Sequence, residues 1–168
     1  LVAKELNFKH FSSGDFMRNL ALERGISLNE LGAKAENNSE IDKSIDDEVK
    51  KVGQMNKVVI DSRLAFHWIP KSFKVYLDLP PEIAKNRISE NLKTNKLRQE
   101  SEGNASVEEI YRKITSRLES EKKRYLELYG VDHTNQNNFD LVIDTNQNNL
   151  QEVVQIIVTE YKNWLTKN

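Results

Sequence analysis

Two short apolar runs, each leading into polar and cationic residues, limit this chain more than any other feature. Phe8 to Phe11 runs into Ser12-Ser13-Gly14-Asp15-Phe16-Met17-Arg18, and Val58-Val59-Ile60 runs into Asp61-Ser62-Arg63. Such runs read as buried strands of an open α/β sheet, whose carboxyl ends present side chains to a ligand. Ser12, Ser13 and Asp15 are capping residues ahead of Phe16 to Glu23, so the first strand passes directly into a helix. Free backbone N–H groups at that helix start, with Arg18 one turn in, make an anion site. The plainer alternative is a capped helix with a surface arginine.

The rest of the chain alternates between the two periodicities. Gly25 stops the first helix, and Ser27 opens a second segment with Leu28 and Leu31 at helical spacing. Asn37 to Lys51 is polar and charged, with Ile41, Ile45, Glu48 and Val49 at spacings of three or four. It is expected to be an exposed helix that moves as a flap. Val58–Ile60 and Lys74–Leu77 are β-rich, joined by Phe66-His67-Trp68-Ile69-Pro70, a crossover too short for a long helix. Pro80-Pro81 opens a helix through Ile83 and Ile88, and Lys93 to Asn104 reads as a mobile loop. Ser106 with Glu109 is a capping box opening a long helix from Val107 to about Leu128. Phe139 to Ile143 is the last strand and Leu150 to Leu165 the closing helix. This order predicts an α/β fold, a mainly parallel sheet of four strands with helices on both faces.

Composition narrows the function. A chain of 168 residues with 38% hydrophobic content suits one domain with its own core. With 25 basic and 26 acidic side chains it lacks the basic surplus of most nucleic-acid binders, so any cationic function comes from local clustering. The absence of cysteine excludes disulfides, cysteine nucleophiles and thiolate metal sites. His10, His67 and His133 have no ligand spacing and are expected to be structural, so no metal ligands are assigned. No apolar run reaches the roughly 20 residues of a membrane span, and a cytoplasmic location without membrane or nucleic-acid partners is expected. The chain begins at Leu1, and Leu1 to Leu6 reads as the end of an amphipathic helix without a cap, which leads us to expect a missing upstream segment.

On the long helix Arg117, Glu121 and Arg124 fall at i, i+4 and i+7, on one face within two turns. Arg112 lies nearer the loop, and Arg87 lies on the preceding helix. Any Arg and Glu four apart can be an ordinary helix salt bridge. Arginine forks also suit phosphate oxygens, and phosphoryl transfer is catalysed largely by positioning and charge stabilisation.

Taken together these pieces resemble the nucleoside monophosphate kinases, and among them the compact cytidylate kinases common in archaea and some bacteria. The resemblance is carried by Ser13-Gly14-Asp15 with Arg18, Ile60-Asp61-Ser62-Arg63, Tyr76-Leu77-Asp78 before the helix bearing Arg87, Arg117 to Arg124, and Tyr125 with Tyr129-Gly130-Val131-Asp132. It covers nearly the whole chain in the family's order. The resemblance implies a P-loop NTPase-like fold, with residues 19–56 as an acceptor-binding helical flap and 88–113 as the lid region. It implies that Ser13, Gly14, Arg18 and Arg63 bind the acceptor nucleotide, the two arginines on its monophosphate, and that Arg117 and Glu121 reach its sugar or base. It further implies Asp61 near magnesium and acceptor, Arg87, Arg112 and Arg124 as lid arginines over the transferring phosphoryl group, and Thr145 and Asn146 against the donor adenine. The expected reaction is transfer from ATP, with Mg2+, to CMP or dCMP, by a monomer.

Two departures qualify the match. Asp61-Ser62-Arg63-Leu64 stands where the family's adenylate kinases carry Gly-Phe-Pro-Arg, which points to a pyrimidine acceptor. No G-x-x-x-x-G-K-[ST] phosphate loop occurs anywhere in the chain. The strand before that loop is the middle one of the family's five. Without it the strands at Phe8 and Val58 have no central neighbour separating them from those at Lys74 and Phe139, so the chain is expected to be an inactive fragment of its parent. The alternatives are a non-catalytic nucleotide-binding or interaction domain that has lost its phosphate loop, an adenylate or shikimate kinase, and a nucleic-acid module using the arginine helix.

Overall fold

The computed structural model describes residues 1–92 and 106–167. In chain order the elements are α1 (Val2–Glu5), β1 (Lys9–Ser12), α2 (Ser13–Glu23), α3 (Leu28–Asn37), α4 (Ser39–Gly53), β2 (Val58–Asp61) and α5 (Ala65–Trp68). There follow β3 (Val75–Asp78), α6 (Pro81–Leu92), α7 (Val107–Tyr129), a 3-10 turn (Gln136–Asn138), β4 (Leu141–Asp144) and α8 (Leu150–Leu165). The expected loop from Lys93 to Asn104, and with it most of the expected lid, lies outside the described residues. The chain divides into a strand unit, Leu1–Ser12, Asp46–Leu79 and Asn135–Asn168, and a helical unit, Ser13–Ile45 and Pro80–Thr134.

The strand unit holds two parallel pairs. β1 lies on β2 with Lys9 opposite Val58 and Ser12 opposite Asp61, and β3 lies on β4 with Val75 opposite Leu141 and Asp78 opposite Asp144. Among the described residues no ladder joins the pairs, so in place of the expected sheet of four strands there are two parallel pairs. The consequence shows in burial: Val58, Val59 and Ile60 are only half-buried, and Leu77 and Val142 are 53% and 42% exposed. Parallel strands are normally covered on both faces. Much of the packing falls instead to aromatic rings. Tyr161 on α8 meets Phe8 and Phe73 at 6.0 Å, and Phe139 meets Phe66 at 4.9 Å and Tyr76 at 5.0 Å. α8 opens with an Asn149–Glu152 capping box and buries Val153, Val154 and Val158 along one stripe. Gly53, at the end of α4, packs closely on the end of α5, since a Cβ there falls 2.6 Å from Ile69 Cδ1 and would displace that side chain.

In the helical unit α2 starts at Ser13, where β1 ends, rather than after Asp15. Ser13, Gly14 and Asp15 therefore form its first turn instead of preceding it. Ser27 and Glu30 cap α3 reciprocally, and Ala21, Leu28, Leu31 and Ala35 are buried in the unit's core.

The exposed helix expected from Asn37 to Lys51 is corrected along one face of α4. Ile41, Ile45, Val49 and Val52 are no more than 8% exposed, and Asp42 and Asp46 beside them only 2% and 4%. Residues at i, i+4, i+8 and i+11 make a continuous stripe, so four modest apolar side chains suffice for a buried face.

α7 carries the expected capping box: Ser106 Oγ accepts from the Glu109 N–H, and Glu109 accepts from the Ser106 N–H at 2.7 Å. Those bonds hold the Glu109 carboxyl below its ordinary range. The helix ends at Gly130, whose φ of 66° lets its N–H reach the Leu126 carbonyl and the Val131 N–H reach that of Tyr125. A methyl group at Gly130 meets nothing within 4 Å, so replacing it tests the backbone alone. Gly130→Ala is expected to lower the unfolding free energy by about 1–2 kcal/mol, and Gly130→Asn by less, read from urea denaturation.

Candidate active site

The expected site residues divide between the units. In the helical unit, Ser13 and Gly14 occupy the first turn of α2, where the leading N–H groups of a helix have no partner within it. Arg18 follows one turn later and is 8% exposed. Its Nη1 donates to Asp15 Oδ1 at 2.9 Å, while its buried Nε has no hydrogen-bond partner among the described residues. A buried N–H without an acceptor costs of order 1–3 kcal/mol.

On α7 Glu121 and Arg124 are each 6% exposed, whereas Arg117 is half-buried. Arg124 grips Asp42 of α4 through Nε at 2.8 Å and Nη2 at 3.3 Å, and Nη1 donates to Ser120 Oγ. Burial works against the guanidinium's charge. The hydrogen bonds and charge of Asp42 outweigh it, so Arg124 is held above its ordinary value. Arg112 on α7 and Arg87 on α6 are exposed. Those helices are tied by Lys85, whose Nζ lies 3.5 Å from Glu108 Oε1 and 5.2 Å over the Tyr111 ring.

In the strand unit Asp61 closes β2 and Arg63 stands two residues beyond, both exposed, with buried Leu64 anchoring the turn. Thr145 follows β4 and donates to the Asp78 carbonyl from both N–H and hydroxyl, at 2.9 and 3.0 Å. The Asn146 N–H donates to Asp144 Oδ1 at 2.7 Å, so the loop is fixed by an Asx turn. β2, β3 and β4 all end in aspartate. Even so, no group of three His, Asp or Glu side chains among the described residues could hold a metal ion. A cleft of about 510 Å³ in the helical unit is lined by none of the expected residues, and its polar groups, Arg24, Glu30, Lys34, Asn37 and Asn38, are exposed side chains. No helix among the described residues is long and apolar enough to cross a membrane.

Asp42 was not among the expected site residues. Its signal was available: an aspartate at 42, and another at 46, within the Ile41, Ile45, Val49 stripe is a carboxylate on a buried face, which needs a cation.

A family model described as an AAA domain matches residues 1–104. With parallel strands, flanking helices and strand ends leading into arginines, this makes the chain an α/β domain of the P-loop nucleotide-handling class. The cytidylate kinase of Pyrococcus abyssi is 36% identical over 158 residues, 93% of this chain and 81% of that protein. That of Sulfurisphaera tokodaii is 34% identical over 172 residues, all of this chain and 89% of the other. An S-adenosylmethionine-dependent nucleotide dehydratase of Lacinutrix mariniflava is 32% identical over 163 residues, 96% of this chain but 32% of that protein. The chain belongs to the cytidylate kinase family.

One element of the helical unit gives a pH dependence. Beyond α7, Asp132 accepts from the Thr134 hydroxyl at 2.6 Å and N–H at 2.9 Å and lies 2.9 Å from Lys122 Nζ. The Thr134 hydroxyl, then Lys122, lower its pKa from 3.8 to about 2. A depressed folded-state value stabilises the fold above 3.8, and the contribution is lost as pH falls through about 2. The pair is solvent-screened, so the effect is about 1 kcal/mol or less. Wild type is expected to be more stable than Asp132→Asn at neutral pH, with the difference in urea midpoint closing as pH falls from 3.8 to about 2.

Proposed function

We propose that the protein phosphorylates CMP or dCMP from ATP, by in-line attack of an acceptor phosphate oxygen that needs no general base. The observation that carries this reading is Arg18, one turn into α2, a buried side chain whose Nε has no hydrogen-bond partner among the described residues. Ser13, Gly14, Arg18 and Arg63 hold the acceptor monophosphate, and Arg117 and Glu121 bind its sugar or base. Asp61 lies toward magnesium and acceptor. Arg87, Arg112 and Arg124 stabilise the charge on the phosphoryl group in transfer, and the Asx-turned loop at Thr145 and Asn146 supports the donor adenine. Residues 19–56 act as the acceptor-binding part and 88–113 as the lid of a single monomeric kinase domain in the cytoplasm.

Magnesium-bound ATP supplies the phosphoryl group and neutralises its charge. The chain has no glycine-rich phosphate loop and, among the described residues, no three-ligand metal cluster. Asp61 apart, its residues are assigned to the acceptor, the adenine and the phosphoryl group. The second reading is a nucleotide-binding domain without catalysis.

An ATP-consumption assay of the full-length protein with CMP, dCMP, UMP and AMP separates the two. Turnover with CMP or dCMP supports the kinase, and silence from folded protein supports the binding domain. In the active protein Arg63→Ala is expected to raise KM for the acceptor about 10- to 100-fold, the worth of a charged hydrogen bond, with ATP binding little changed. Equal loss of both sinks the assignment of Arg63.

A further inference from the structure

The buried pair in the helical unit has a geometry that stability does not explain. Asp42 and Arg124 are 2% and 6% exposed. The carboxylate takes Nε and Nη2 of one guanidinium edge at 2.8 and 3.3 Å. Nη1 donates to Ser120 Oγ at 2.5 Å, and that hydroxyl donates to Glu36 Oε1 at 2.6 Å. The Tyr125 ring centre lies 5.8 Å from the guanidinium carbon. Desolvation roughly cancels the attraction within such a pair, and apolar residues of similar volume join helices as well. What an apolar contact cannot supply is a cation fixed in one orientation.

Of the five N–H groups of an arginine, three are engaged among the described residues, leaving one on each Nη. We propose that Asp42 is a positioning residue, holding Arg124 so that its two remaining N–H groups meet the phosphoryl group in transfer, with Ser120, backed by Glu36, as a second clamp. This rests on the kinase reading and on the part it gives Arg124. Asp42 offsets some of the charge on Arg124; what it adds is geometry. Released from Asp42, the side chain keeps its charge but samples other rotamers, and misplacement by about an ångström costs about 10²-fold in rate.

The test compares wild type, Asp42→Asn, Ser120→Ala, Arg124→Ala and the double variant Asp42→Asn/Arg124→Ala in the full-length protein. Each is measured for kcat, KM for CMP and for ATP, and urea midpoint. Asp42→Asn is expected to lower kcat about 10²-fold and Ser120→Ala about 10-fold, with both KM values within about threefold of wild type. The double variant is expected to be no slower than Arg124→Ala, because both changes act through one group. A folded Asp42→Asn with wild-type kcat, or losses that multiply in the double variant, overturns the proposal. If Asp42→Asn does not fold, Ser120→Ala decides, and wild-type kcat there overturns it too. Inactive wild type refutes the kinase reading itself, whereas active wild type with unaffected variants refutes only the role of Asp42.

Discussion

A charge removed from water must be paired, and the helical unit is arranged around one such pairing. Asp42 projects from α4 among Ile41 and Ile45, where an isolated carboxylate would be prohibitively costly. Arg124 meets it with two bonds, and Ser120 carries the connection to Glu36 on α3. Three helices are thereby joined through one guanidinium. The same joint fixes where α7 presents its other polar groups. Glu121 lies one turn before Arg124 and Arg117 one turn earlier still, so a helix anchored at Arg124 has its upstream face in register.

The strand unit works under the opposite constraint. Its strands are four residues long, pair only two by two among the described residues, and leave Leu77 and Val142 largely in water. Such short parallel pairs owe their order to what packs on them, here the α8 stripe and the rings of Phe8, Phe73 and Tyr161. Their regular feature is at the carboxyl ends, where three strands finish in aspartate and the backbone of Thr145 and Asn146 is fixed by local hydrogen bonds. Rigid strand ends suit ligand contact, because the ordering cost has been met before a ligand arrives.

What could be read from the sequence was what depends on neighbours along it. The Ser106–Glu109 capping box, the prolines opening α6 and the apolar stripe of α8 each act within one or two turns, and each was found where expected. Short runs of apolar, aromatic and β-branched residues placed the four strands to within two residues. The misreadings concern what distant partners decide. α2 begins at Ser13 because the strand ends there, which local capping preference does not encode. α4 is buried on one face because Arg124, some eighty residues away, makes Asp42 tolerable inside. Counting Asp42 as a polar residue made the helix look exposed.

The same pairing bears on how a chain with balanced charge could meet the phosphate proposed for it. If affinity came from a basic surface, the acidic residues would oppose it and any polyanion would compete. Here two of the expected arginines are held by carboxylates, Arg18 by Asp15 and Arg124 by Asp42. Each carboxylate weakens the long-range field of its arginine while fixing the direction of the guanidinium's remaining N–H groups. Attraction at a distance is exchanged for orientation at contact. A net charge of −1 is thus compatible with an arginine-rich site, provided that the arginines are set by partners from the fold.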